Sequence, residues 1–229
     1  MSITIAINES VTNKYPELDI AFITVDKLPG YNNEANKAAA EQDIVNSVLE
    51  VFPTKQSLEG HILKEAYDTF YKSMGLKPKK VSTPVQQALR IFDTKKYRSL
   101  YRIIDICMKI EYTTLVSFQV YDLGKIKSPV EYRFSSGTEQ ITTFQGETKT
   151  CKLGELILID AEDVLHSCYY GNNKNKSISN ATTRNLVRIM KIPGVSSPDF
   201  YSITKAFCDA SGVDQYVILN KEERTASLE

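Results

Sequence analysis

The sequence predicts an α+β fold with its helices in the N-terminal half and short mixed or antiparallel strands in the C-terminal half. Three observations predict it. Apolar residues recur at helical spacing in several segments before residue 112. From Leu115 onward, short runs rich in β-formers are separated by Gly, Asn, Ser and Lys clusters. Helices and strands also do not alternate regularly, as a βαβ protein requires. At 229 residues the chain can bury a full core, which suits one domain over residues 1–221 and a flexible tail over 222–229.

In order, Ser2–Ile7 reads as a strand, and Leu18–Val25 as a stronger one, rich in β-branched and aromatic residues after Pro16. Asn32–Val51 is a helix, broken by Phe52-Pro53. Leu58–Met74 follows as a second helix, with Ser57 as N-cap, a helically spaced apolar face and Gly75 as its stop. After the basic connection Leu76–Ser82, Thr83-Pro84-Val85-Gln86 spells a capping box that opens a helix over Pro84–Phe92. Ser99–Lys109 is the next helix. Strands are expected at Leu115–Tyr121, Val130–Phe134, Gln140–Phe144, Leu156–Ile159 and Leu186–Met190, with glycines such as Gly137 and Gly154 at the turns between them. Ser197-Pro198 opens a last helix that ends near Gly212, and Tyr216–Leu219 is a final strand.

Composition is that of an ordinary soluble globular protein, 42% hydrophobic and 24% charged. No apolar run approaches the ~20 residues that span a bilayer. The N-terminus lacks a basic region followed by an apolar one, so a cytoplasmic location is expected. Cys107, Cys151, Cys168 and Cys208 form no C-x-x-C pair, and the chain has only two histidines, His61 and His166. Neither a metal site nor a cofactor is expected from that inventory. Net charge is zero but unevenly spread: residues 1–71 hold eleven acids against five lysines, whereas Lys72–Arg102 holds nine bases and the single acid Asp93. A second basic set, Lys174, Lys176, Arg184 and Arg188, has no acid between its members. Such clustering either attracts phosphates or is a solvated surface.

The segment Arg102–Lys125 carries the most distinctive pattern: I-I-D-I-C, a spacer, then Q-V-Y-D-L. That order resembles the centre of the B3/B4 editing domain in the phenylalanyl-tRNA synthetase β subunit, with its V-V-D-I-T-N and H-A-F-D-L. Pro129–Phe134, Glu155–Asp160 and Thr183–Val187 are similar to later strands of the same family, and Tyr15–Leu18 and Leu76–Lys79 to free-standing members. Apart from Tyr15–Leu18, these matches keep their order over residues 72–190. The resemblance implies a B3/B4-like domain that takes the aminoacylated 3′ end of a tRNA and directs water at its ester.

The resemblance also implies site residues. The family's Thr and Asn fall on Cys107 and Met108, its His on Gln119, and its F-D-L on Tyr121, Asp122 and Leu123. A pocket glycine corresponds to Gly171. Thr183 matches the family's Thr, and the glutamate six positions later falls on Ile189. Gln119 and Cys107 are therefore the candidate catalytic positions. Met108, Tyr121, Asp122, Gly171 and Thr183 are the candidate substrate contacts. Lys77, Lys79, Lys80, Arg90, Lys174, Lys176 and Arg184 are the candidate RNA contacts. An amide does not titrate, so Gln119 would orient water or substrate rather than act as a base. Read from the residues alone, Cys107 is a core thiol and Asp122 a turn anchor. Asp105 reads as a helix-surface or capping acid, with a lock or site role as the alternative. Trans-acting hydrolysis of misacylated tRNA is the first functional reading. A non-catalytic RNA or amino-acid binder, and a small-molecule hydrolase or interaction protein on the same scaffold, are the alternatives.

Overall fold

The computed structural model describes residues 2–195 and 199–228. The chain opens with strand β1 (Ile3–Ile7), helix α1 (Glu9–Lys14) and strand β2 (Asp19–Asp26). Five helices follow: α2 (Glu34–Val51), α3 (Lys55–Glu59), α4 (Ile62–Ser73), α5 (Pro84–Thr94) and α6 (Arg102–Thr114). The strand-rich part holds β3 (Ser117–Asp122), β4 (Val130–Phe134), β5 (Gln140–Thr142), β6 (Thr148–Thr150), β7 (Leu156–Ile159), β8 (Val164–Ser167), β9 (Gly171–Asn172) and β10 (Arg184–Lys191). Helix α7 (Phe200–Ser211) and strands β11 (Val217–Leu219) and β12 (Thr225–Leu228) complete the order. The α+β prediction therefore holds.

Two sheets organise the molecule. One has six strands in the order β12-β1-β4-β7-β8-β9, the other four in the order β11-β2-β10-β3, while β5 and β6 form a separate hairpin. β10 pairs antiparallel with β2 along its whole length and with β3 from Asn185 to Met190. Its side chains alternate between two apolar cores, as the period of a strand requires. Leu186 and Met190 join the larger core, with Ile5, Leu18, Phe22, Tyr132 and Leu158. Val187 and Ile189 join a second core, with Ile23, Cys107, Phe118 and Phe207, where α6 and α7 pack. The four-stranded sheet is thus buried on both faces. That explains the near-continuous apolar run of β2 and β10.

Four local expectations need correction. The helix expected over Leu58–Met74 is two helices, because Gly60 ends α3 and its N–H bonds to Gln56 O at 2.9 Å. Thr54, not Ser57, caps α3, and His61 restarts the chain by accepting from Leu63 N at 3.2 Å. Helix α6 begins at Arg102 rather than Ser99 and runs on to Thr114, ending at Leu115 in the left-handed region (φ 59°). The β-branched Thr113 and Thr114 are accommodated there by hydroxyl bonds to Lys109 O and Ile110 O, at 2.8 and 2.7 Å. The segment expected as a flexible tail supplies β12, antiparallel to β1 with Ile3 opposite Leu228. Ala226 and Leu228 alternate with polar residues, and Leu228 is buried against the larger core. Helix α1, capped by Asn8, was not foreseen.

The capping box at Thr83 forms in full, with Gln86 N donating to Thr83 Oγ1 and Thr83 N to Gln86 Oε1, both at 3.2 Å. Strands β4 and β7 match their expected bounds. Ser197-Pro198, the expected opening of the last helix, lies outside the described residues. Within them, Asp199 caps α7 through Ser202 N.

Candidate functional site between the two sheets

Strand register decides which residues of the Arg102–Lys125 motif can act together. Gln119 of β3 lies directly opposite Arg188 of β10, and Arg188 lies opposite Phe22 of β2. Tyr121 and Leu186 form the next pair on the same face. These side chains look toward the six-stranded sheet, whose row Tyr132–Leu158–His166–Asn172 runs across β4, β7, β8 and β9. Phe22 and Tyr132 meet across the gap with ring centroids 6.2 Å apart. Because β3 is an edge strand, Ser117 and Gln119, both half-buried, stand between Arg188 and the sheet edge.

Arg188 is 0% exposed and among the largest fully buried side chains. Its Nη2 donates to Ser117 Oγ at a long 3.4 Å, while Nε and Nη1 have no hydrogen-bond partner. The Tyr132 hydroxyl is also buried without a partner, and the Tyr121 hydroxyl faces the Arg188 guanidinium with no other partner. Burial opposes the Arg188 charge, and the polar groups of Tyr132, Tyr121, Cys168 and Tyr71 around it favour the charged form, for a net upward shift. His166 on β8 is pushed down to about 3 by burial and then by the Arg188 charge, so it is neutral at pH 7. Its Nδ1 lies 2.9 Å from Asn172 Oδ1.

The motif's other residues divide sharply. Cys107 is 0% exposed in the helix-side core, and burial followed by the Glu111 charge pushes its thiol well up. It therefore lies on the opposite face of the sheet from Gln119, and the two do not share a cavity. Ile189 points into that same helix-side core. The residue beside Gln119 is Arg188, one position earlier than counting from Thr183 suggests. Met108 is half-buried and packs on both cores.

Asp122 anchors a turn as the residues suggested, accepting from Gly124 N at 3.1 Å, and it also binds Thr182 Oγ1 at 2.7 Å. Thr182 rather than the exposed Thr183 makes this contact. Asp105 proves to be a buried lock: Tyr31, Tyr97 and Ser99 hydroxyls all donate to it, at 2.7, 2.8 and 2.5 Å. Both aspartates brace a cleft of about 500 Å³ whose walls include Tyr31, Arg102, Thr182 and Asn185. Gly171 is half-buried with φ +81°, a conformation favouring glycine, in the hairpin that presents His166.

The basic candidates also separate. Lys77, Lys79, Lys80, Arg90 and Lys174 are exposed. Arg90 borders a groove of about 720 Å³ together with Lys95, Lys96 and Arg98. Lys176 is corrected: it is buried, 2.9 Å from Asp160, 3.0 Å from Asp163 and 2.9 Å from Lys125 O, so it cannot meet a phosphate. Arg184 is half-buried and ion-paired with Asp26 at 3.2 Å. Arg188, weighed with Lys174, Lys176 and Arg184 as a phosphate contact or a solvated surface residue, is neither, because it is 0% exposed. The available signal was one cationic residue inside an otherwise apolar strand, L-V-R-I-M.

The description of the B3/4 domain matches residues 66–195, more than half of the chain. The chain belongs to the B3/4 domain family. This agrees with the resemblance read from residues 72–190. Among solved structures, this B3/4 protein is similar to an N-terminal fragment of the phenylalanyl-tRNA synthetase β subunit from Pyrococcus horikoshii, with 13% identity and a TM-score of 0.48. That similarity covers 94% of this chain and 50% of the fragment, so the B3/4 chain spans half the fragment's length. No curated protein matches the chain. Among the described residues, no helix is long and apolar enough to cross a membrane, and no group of His, Cys, Asp and Glu is placed to hold a metal.

Proposed function

We propose that this B3/4 protein hydrolyses misacylated tRNA in trans, with the aminoacyl group entering between the two sheets at the β3 edge. The observation that carries the reading is the placement of Gln119. It stands where the family's motif puts its histidine, half-buried on an edge strand and facing a buried polar cluster. Exposed Lys77, Lys79, Lys80 and Arg90 offer phosphate contacts at the surface.

An aminoacyl ester is already activated, so a positioned water with donors for the developing oxyanion can supply much of the rate. Gln119 orients that water or the ester carbonyl. With Asn172 presenting its oxygen, His166 Nδ1 is the donor and Nε2 of the neutral ring keeps a lone pair that accepts a hydrogen bond from water; burial and the Arg188 charge oppose its protonation, so the ring orients water and is not a general base.

A panel of correctly and incorrectly charged tRNAs tests the reading. Release of amino acid from at least one species is expected, with Gln119→Ala slowing it at least tenfold. No release above spontaneous hydrolysis from any of them overturns it. In that event, retained and salt-sensitive tRNA binding identifies a non-catalytic RNA-binding module, the reading favoured by the amide that cannot titrate.

A further inference from the structure

We propose that Arg188, with the hydroxyls of Tyr121 and Tyr132, is a receptor for a carboxylate, so that the ligand of the inter-sheet site carries an acidic side chain. As a statement about the amino acid on the tRNA, this rests on the deacylase reading. The receptor itself stands on the geometry alone.

A guanidinium removed wholly from water needs an opposite charge or a full set of acceptors. Arg188 has one long bond to Ser117 and two nitrogens without partners, and no carboxylate is ion-paired with it among the described residues. The Arg188 charge is felt by Glu111, but that carboxyl makes no ion pair with it and its Oε2 accepts from Phe118 N at 2.6 Å. The phenol hydroxyls of Tyr121 and Tyr132, neither with an acceptor of its own, complete a set of donors on one side of the sheet sandwich. The surrounding walls are apolar, with Phe22, Leu158 and Leu186. Orphaned donors concentrated in one place call for an acceptor that arrives from outside.

The class of acceptor follows from charge and shape. A guanidinium presents parallel N–H bonds that match a planar carboxylate, and one carboxylate neutralises one Arg188. A phosphate dianion would leave a net negative charge in an apolar enclosure. His166, beside the cluster, is neutral and adds no second charge. Ser117 and Gln119 are the half-buried residues on the β3 edge beside Arg188, so a ligand entering there would have its remaining atoms next to Gln119.

The test uses the full-length chain and four probes: the methyl esters of aspartate and glutamate, and those of asparagine and glutamine as neutral counterparts. Binding is read from the Arg188 Nε–H resonance in a labelled protein and from the thermal midpoint. The acidic esters are expected to move the Arg188 resonance and to bind at least tenfold more tightly than the neutral ones. Arg188→Met should erase that preference, and Arg188→Lys should retain part of it. Equal binding of acidic and neutral esters overturns the proposal, as does tighter binding of inorganic phosphate than of either acidic ester. If Arg188→Met fails to fold, the wild-type resonance and Arg188→Lys decide the matter. Acidic esters that bind while no charged tRNA is hydrolysed sink the deacylase reading and leave the receptor standing. Hydrolysis of a neutral aminoacyl-tRNA with no acidic preference does the reverse.

Discussion

Glu111→Gln should flatten the dependence of stability on pH. Glu111 lies in the last turn of α6, is 6% exposed, and accepts from Phe118 N at 2.6 Å. Burial raises its carboxyl from 4.5 to about 7, against the opposing effects of the Phe118 hydrogen bond and the Arg188 charge. A carboxyl whose folded pKa is raised contributes stability fully present below its unfolded pKa, and loses it as pH rises through the folded value. A shift from 4.5 to about 7, at 1.36 kcal/mol per unit, corresponds to about 3 kcal/mol lost between pH 4 and 8. The Gln amide keeps a carbonyl for Phe118 N–H and does not ionise. His61 and His166 titrate alike in both proteins and cancel in the difference. Urea unfolding of the two proteins at pH 4, 5, 6, 7 and 8 measures it. Parallel stability curves across that range would refute the reasoning.

Three further outcomes are expected. Asp105→Ala strands the buried Ser99 hydroxyl and releases Tyr31 and Tyr97, costing about 3 kcal/mol in denaturant unfolding. A loss under about 1 kcal/mol would show that water replaces the carboxylate there. Lys176→Ala leaves buried Asp160 without its ammonium and should cost about 3–5 kcal/mol. Because Lys176 is enclosed, tRNA retention measured on folded protein should be unchanged, whereas Lys77→Ala combined with Lys79→Ala should weaken it and reduce its salt dependence. Leu228→Ala should cost about 2–3 kcal/mol because the side chain is buried against β1, and unchanged hydrogen-exchange protection of Ile3 and Ile5 would argue against a stable β12.

What could be read in the sequence was local, and what could not be read was a matter of sides. The capping box at Thr83, the bounds of β4 and β7 and the Asp122 turn depend on neighbours within a few residues, and each formed as its residues suggested. The family frame over residues 72–190 was legible for the same reason, as an ordered set of short strings. Whether Cys107 and Gln119 could meet depended on which face of a sheet each occupies. That is set by the pairing of β3 with β10, seventy residues away in the chain. Counting from Thr183 reached Ile189, and an error of one in a strand reverses the side. Lys176 looked like a surface cation until the fold placed Asp160 and Asp163 around it. The C-terminal strand was missed because its partner, β1, lies at the other end of the sequence.

The neighbours Arg188 and Ile189 also carry information for the folding chain. β10 is apolar on both faces, so hydrophobicity alone barely distinguishes its correct alignment from one displaced by a single residue. Such a slip would press a guanidinium among Ile23, Phe118 and Phe207 and present an isoleucine to the phenols of Tyr121 and Tyr132. The shifted strand would lose the Ser117 bond and the polar surroundings that favour the Arg188 charge in the native alignment, a loss of about 1.5–3 kcal/mol, enough to depopulate the shifted alignment at least tenfold at about 1.4 kcal/mol per tenfold. Arg188 is thereby a register key: the residue least comfortable in the interior tells the central strand which way to face.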